Sequence, residues 1–389
     1  MPAPKLLKIF GMNTSNYKDE LNQLNKIVKS YTFNSLKDTL LFANNSKFKL
    51  PNLNNIPQYH NILGLINFRL NDLENSISDF EKAINLDPNF YSAYYNLGLL
   101  FFKTKDLKKS YNFLNKALII KNDYKLARDK IIEILSFYEP DNENSNFISD
   151  IDKKVKKVPY EIDFSKKITD QQIIDYLKNC RKVVLKYLND LSYNKLQIYR
   201  TKSINLNCER HKAIFSKYNS IPKYCFECYK VVIESKNFYD LLKMSLIFDQ
   251  LTYFHKFNRK NMIDKKSEKD IFKSIIYCQS LDEVFQVENE TKKILSIYFD
   301  EQILIESKRG CHEYASKYPE YKKIFKKKSE MMLMPDEWLD NEKKYDLENT
   351  KDGVENTGIT HDTIKGISLN NFLIMNNWFN DQKIFFKKN

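Results

Sequence analysis

The strongest constraint in this 389-residue sequence is a self-similarity at a spacing of 34 residues. Leu63-Gly64 returns as Leu97-Gly98, Asp72-Leu73 as Asp106-Leu107, Ser76 as Ser110 and Ala83 as Ala117. A period of that length accommodates one helical hairpin, which cannot bury its apolar face alone, so copies must stack to make a core. Each recurring residue has a packing role. Glycine lets the second helix of a hairpin approach the first, Ser and Ala sit where the helices cross, and Phe80 or Leu114 fills the space between them. Pro88 opens the next hairpin.

On these residues the stretch 59–126 resembles two tandem members of the tetratricopeptide repeat (TPR) family. Leu63, Gly64, Ser76, Phe80, Ala83 and Pro88 mark the first repeat, and Tyr94, Leu97, Gly98, Ser110 and Ala117 the second, with Asn122 standing where proline is usual. Residues 18–50 read as an earlier, degenerate hairpin, and residues 125–138 as a closing helix, so 1–138 is expected to be one TPR-like domain. The resemblance implies a protein or peptide partner held in a groove. Asn61, Leu65, Phe68 and Arg69 would line it from the first repeat, and Tyr95, Leu99, Phe102 and Lys103 from the second.

A formal charge of +13 would ordinarily point to nucleic acid, anionic lipid or an acidic partner. Yet 56 lysines stand against 7 arginines in a chain crowded with Asn, Ile, Tyr and Phe, which is what an AT-rich codon supply produces. Lysine is mostly a solvating charge, whereas the planar arginine fork grips carboxylate and phosphate. The scarce Arg, Gly and Cys are therefore the informative positions. The N-terminus lacks the apolar core of a signal peptide, and no stretch approaches the ~20 apolar residues of a membrane helix. A cytoplasmic protein without membrane insertion is expected, and there six cysteines are better read as thiols, metal ligands or redox groups than as disulfides.

The overall class expected is α followed by α+β. The polar EPDNENSN stretch at 139–146 begins a segment of linker and connecting helices running to residue 200. Within 201–328 the period changes. Tyr229–Glu234 reads as a strand, Asn237–Phe254 as a helix, Arg259–Asp264 and Ile271–Cys278 as strands, Leu281–Phe299 as a helix and Gln302–Glu306 as a strand. That order, βαββαβ, predicts a ferredoxin-like domain: an antiparallel sheet with both helices on one face. The tail, 329–389, is expected to be partly loose, with Met332, Leu333 and Trp338 able to dock and the FLIMNNWF piece able to pack back.

This topology gathers scattered cysteines. The start of the domain's first strand lies at the same end of the sheet as the finish of its third and fourth, so Cys225, Cys228, Cys278 and Cys311 should meet there, with Cys208 and His211 close upstream. The CxxC spacing lets two thiolates reach one ion, and soft thiolates favour zinc or an iron-sulfur cluster. Arg210, Arg259 and Arg309 fall beside these cysteines, and Gly310 permits close backbone approach, which suggests an anion-binding pocket. His312 is a further candidate ligand or acid/base group.

The resulting expectation is a TPR adaptor whose C-terminal domain binds a metal ion or cluster beside an arginine-lined anion pocket. One alternative is an enzyme using that pocket on an anionic substrate, with the metal or a low-pKa cysteine as its reactive centre. A second is a basic nucleic-acid-binding adaptor. No phosphate-binding loop, dinucleotide turn, HExxH or GxSxG motif is present to name a reaction.

Overall fold

The computed structural model describes residues 18–33, 35–188, 191, 193–201, 208–264, 271–299, 303–325, 327–349 and 361–386. The chain divides into two compact units, one ending at Ile131 and the other beginning at Ile132.

The first unit is helical: α1 (Lys18–Phe33), α2 (Leu36–Lys49), α3 (Pro57–Arg69), α4 (Leu73–Leu86), α5 (Tyr91–Lys103), α6 (Leu107–Ile120) and the start of α7 (Lys125–Ile134). The pairs α3/α4 and α5/α6 are hairpins, and α4 packs on α5. The 34-residue period is now visible as repeated geometry. A Cβ added to Gly64 would stand 2.6 Å from the Phe80 ring, and one added to Gly98 would stand 2.6 Å from Leu114 Cγ. The Ser76 hydroxyl donates to the Gly64 carbonyl at 2.8 Å, and Ser110 donates to Gly98 at 2.7 Å. Asp72 and Asp106 cap α4 and α6 by accepting from the Asn75 and Lys109 amides. Asn71 and Lys105, one residue before each cap, both take positive φ, 61° and 68°.

The second unit is built on a five-stranded sheet. Its strands are β1 (Gln197–Arg200), β2 (Tyr229–Ser235), β3 (Arg259–Asp264), β4 (Ile271–Cys278) and β5 (Leu304–Arg309). They lie in the order β1-β3-β4-β2-β5, and every neighbouring pair is antiparallel. Helices α8 (Phe147–Lys156), α9 (Asp170–Val184), α10 (Cys208–Tyr218), α11 (Lys223–Phe226), α12 (Phe238–Gln250), α13 (Leu281–Leu295), α14 (His312–Lys317), α15 (Asp336–Asn349) and α16 (Leu369–Phe386) complete it. Helices α12 and α13 lie on one face of the sheet. Phe238 of α12 meets Phe272 of β4 at 6.5 Å between ring centroids, and the Ser307 amide of β5 donates to Glu288 of α13 at 3.0 Å.

Three segments differ from expectation. Residues 139–200 do more than connect: α8 and α9 pack on each other and on α16 and α12, and Gln197–Arg200 adds an edge strand beside β3. Four residues are too few to carry a readable alternation. In the tail, the FLIMNNWF piece packs back as expected but does so as part of a helix, α16, with Trp378 fully enclosed and its indole donating to the Leu196 carbonyl at 2.9 Å. Trp338 is buried and Met332 packs against its cluster, whereas Leu333 is exposed. Residues 341–349, read as loose, belong to α15, while 350–360 lie outside the described residues, as does Gln302 of the expected last strand. That strand begins at Leu304 and runs on to Arg309, which places Arg309 opposite Tyr229.

Candidate functional site

In the first unit, helix periodicity sorts the expected groove residues into two groups. Asn61 and Tyr95 are buried. Asn61 accepts from Asn96 Nδ2 at 2.7 Å, tying α3 to α5, and Tyr95 packs edge-on to Tyr124 at 5.3 Å. Both therefore serve cohesion between helices. Leu65, Phe68, Leu99 and Phe102 are half-buried, and Arg69 and Lys103 are exposed. Cations on successive first helices reach back onto aromatic rings of earlier helices, Arg69 and Lys103 from the last position of theirs. Arg69 lies 5.2 Å from the Tyr31 ring, Lys103 lies 5.0 Å from Phe68, and Lys130 lies 4.5 Å from Phe102. Lys103 also donates to Asn71 Oδ1 at 3.2 Å. A row of cations seated on aromatic faces thus follows the repeat. Tyr31, Lys130 and Asn96 were missed in the sequence; the signal available was the recurrence of Phe68-Arg69 as Phe102-Lys103.

In the second unit the cysteines divide by sheet face. Tyr229 pairs with Cys278 on one side and with Arg309 on the other. Paired residues share a face, and alternate residues share it along a strand. Cys278 is therefore on the face of Phe272, beneath the helices. Cys228 precedes Tyr229 and stands across from Gly310, whose amide donates to the Cys228 carbonyl at 2.8 Å. Cys225 closes a tight turn with it, its carbonyl accepting from the Cys228 amide at 3.2 Å. Cys225 is buried among Tyr314, Tyr321, Phe226 and Trp338, with Cys311 packed against the same cluster, and the Tyr314 hydroxyl donates to Cys225 Sγ at 3.4 Å. Helix α10 lies along this cluster: Phe215 meets Tyr314 at 4.8 Å and His211 stacks on Tyr224 at 5.4 Å, one turn beyond the exposed Cys208. His312 opens α14, and its side chain lies outside the described residues.

Burial pushes the thiols of Cys208, Cys225, Cys228 and Cys278 up, Cys228 to about 12. Among other thiols, Cys208, Cys225 and Cys228 each feel Cys311 most strongly, whereas Cys278 senses Glu283 and Cys228. These four thiols are neutral near pH 7, the opposite of the lowered pKa that a nucleophilic cysteine needs. Among the described residues, no three or more of His, Cys, Asp and Glu already stand where they could hold a metal ion.

The three arginines enter three different environments. Arg210 forks onto Asp346 of α15, at 2.8 Å and 2.6 Å, and reaches Glu342 at 2.8 Å. Arg259 is drawn under the helices, where it donates to the Phe248 carbonyl and its Nε has no partner among the described residues. Arg309 donates to the Phe226 carbonyl at 2.8 Å and stacks 4.0 Å from the Phe226 ring and 5.0 Å from Tyr321. Gly310 takes φ +57°, and an added Cβ would meet the Tyr321 hydroxyl at 1.6 Å, so its smallness serves this packing. The sequence pattern placed Arg beside Cys along the chain but not the carboxylates of α15, more than a hundred residues downstream.

Two further features had no sequence signal. Asp249 is a buried hub: Arg200 pairs with it at 2.9 Å, Tyr160 donates at 2.6 Å, Gln250 at 2.8 Å and the Gly366 amide at 2.9 Å. Burial alone would raise its pKa, but Arg200 and these donors together hold it below the usual carboxylate range. A polar cleft of about 430 Å³ opens where the N-termini of α9 and α12 meet, lined by Lys167, Thr169, Asp170, Lys236, Asp240 and Lys243 among others. Lys243 bridges Asp170 at 2.7 Å and Asp240 at 3.4 Å across it.

Comparison with known proteins bears on the first unit. A TPR repeat model matches residues 64–105 and a tetratricopeptide repeat model matches residues 91–124. The chloroplastic tetratricopeptide repeat domain-containing protein PYG7 of Arabidopsis thaliana is 32% identical over 75 residues, 19% of this chain and 25% of that protein. The chain thus spans about a quarter of the length of this curated relative. Among solved structures, MamA aligns over 44% of this chain and 79% of its own at 18% identity, with a TM-score of 0.27. YrrB, described as a TPR protein with an unusual peptide-binding site, aligns over 45% and 86% at 15% identity, with a TM-score of 0.28. The repeat models and the hairpin geometry agree on the same residues: residues 64–124 of this chain are repeats of the tetratricopeptide family.

Proposed function

We propose that the chain is a cytoplasmic adaptor whose repeat unit holds a protein or peptide segment bearing both apolar and acidic side chains. The observation that carries this reading is the surface made by half-buried Leu65, Phe68, Leu99 and Phe102, edged by Arg69, Lys103 and Lys130 seated on aromatic rings. Packing against rings fixes those cations in place, so an incoming carboxylate orders fewer side-chain torsions than on a free lysine. The second unit is read as a ferredoxin-like βαββαβ domain extended by β1, a reading supported by β2 lying between β4 and β5 with α12 and α13 on one face.

The test is selection of peptides by the full chain from a random library, repeated with the double variant Lys103→Glu, Lys130→Glu. Enrichment of acidic-apolar peptides by the native chain, with at least tenfold weaker binding to the variant, is expected. Peptides without acidic bias, or binding indifferent to the charge reversal, would refute the reading.

A further inference from the structure

We propose that the free edge of β5 pairs antiparallel with β5 of a second copy of this chain, centred on Ser307, and that Glu288 gates the pairing.

The sheet ends differently on its two sides. Next to β1 the chain after residue 360 closes the edge: the Thr363 amide donates to the Thr201 carbonyl at 3.0 Å, and the Thr201 amide donates to Thr363 Oγ1 at 2.8 Å. β5 is the opposite edge, and its register fixes which backbone groups face outward. The Gly310 amide donates to the Cys228 carbonyl at 2.8 Å, and that pair stands one step beyond Arg309 and Tyr229. Bonded and unbonded pairs alternate along an antiparallel ladder. Leu304, Glu306 and Lys308 therefore bond to β2, while the amides and carbonyls of Ile305, Ser307 and Arg309 point away from it. Among the described residues, the Ser307 amide is the member of this outward row with a partner, Glu288 Oε2 at 3.0 Å. The Ser307 hydroxyl donates to the same oxygen.

An edge strand with unpaired backbone groups is a template for another strand, and charge selects both the occupant and the register. Outward residues must meet outward residues, so allowed registers differ by two. Ser307 opposite Ser307 sets Glu306 against Lys308 of the second copy, and Lys308 against its Glu306. Sliding two residues either way sets Glu306 against Glu306 or Lys308 against Lys308. Opposite charges directly across two strands stabilise the pair and like charges destabilise it. Both side chains are accessible, Glu306 45% and Lys308 36% exposed, and they already meet each other at 2.9 Å within one chain.

Glu288 holds the amide at the centre of this pairing. An incoming Ser307 carbonyl must displace it, and the released carboxylate keeps Lys292, one helical turn on, as its partner. Two short strands make a small contact of the weak, transient kind, so the dimer should form and dissociate reversibly.

Sedimentation equilibrium of the full chain, from micromolar to millimolar protein, should show a reversible monomer–dimer equilibrium. Amide hydrogen exchange at Ile305 and Arg309 should slow as the dimer fills. Lys308→Glu turns two favourable cross-strand pairs into two unfavourable ones and should weaken association by roughly tenfold or more, as should Glu306→Lys. Both changes in one chain restore the complementary pattern and should restore association, and a mixture of the two single variants should form the mixed dimer. Glu288→Ala frees the central amide of each copy and should tighten the dimer by about tenfold. Tryptophan fluorescence melting checks the fold of each variant. The proposal is overturned if the native chain stays monomeric throughout, if self-association ignores the single charge reversals, or if the double reversal fails to recover it.

Discussion

Replacing Gly64 with alanine tests the packing rule behind the repeats. The new methyl would stand 2.6 Å from both Cδ1 and Cε1 of Phe80. Phe80 is fully buried, so its ring has no solvent-side space into which to swing. Overpacking of this kind costs about 1–3 kcal/mol. For a unit of this size each kcal/mol lowers the melting temperature by roughly 4–8 °C. Both tryptophans, Trp338 and Trp378, lie in the second unit, so their fluorescence follows that unit alone, while circular dichroism registers the helices of both. Gly64→Ala should therefore lower a dichroism transition and leave the tryptophan transition in place. Adding Phe80→Leu, which removes the ring atoms in conflict, should recover part of the loss, with a coupling of about 0.5–3 kcal/mol. If the alanine variant melts like the native chain, or if the two substitutions simply add, the close approach of α3 and α4 is not what this glycine provides.

Three other substitutions probe the second unit. Gly310→Ala combines a left-handed backbone cost of about 1–2 kcal/mol with the clash on Tyr321, so the tryptophan transition should fall by several degrees; a silent substitution would contradict the geometry. Tyr321→Phe in that background should relieve part of the clash, measured as a less-than-additive shift. Asp249→Asn leaves Arg200 buried with its charge unpaired and should cost about 3–5 kcal/mol at neutral pH. Because the folded pKa of Asp249 is depressed, its stabilisation is complete above the unfolded carboxylate value of about 3.9 and is lost as pH falls through the folded value. Chemical denaturation at several pH values should therefore show the native protein and the Asp249→Asn variant converging in acid; a constant gap down to the lowest pH would remove Asp249 from the account.

What the sequence determined by itself is local or periodic. Gly64 and Gly98, Ser76 and Ser110, and Asp72 and Asp106 recur because each hairpin solves the same packing problem, and the solution is written within 34 residues. The strand and helix order from Tyr229 onward was likewise readable from alternation and β-branched runs. Tertiary structure decided which face each cysteine takes: alternation from Tyr229 sends Cys278 under the helices and Cys228 away from them. It also decided the fate of the arginines, because the carboxylates that claim Arg210 and the carbonyls that claim Arg259 and Arg309 come from other elements. Asp249, Arg200 and Gly366 meet only in the folded chain, where a buried charge is stable only with partners and topology, rather than spacing in sequence, sets which partners those are.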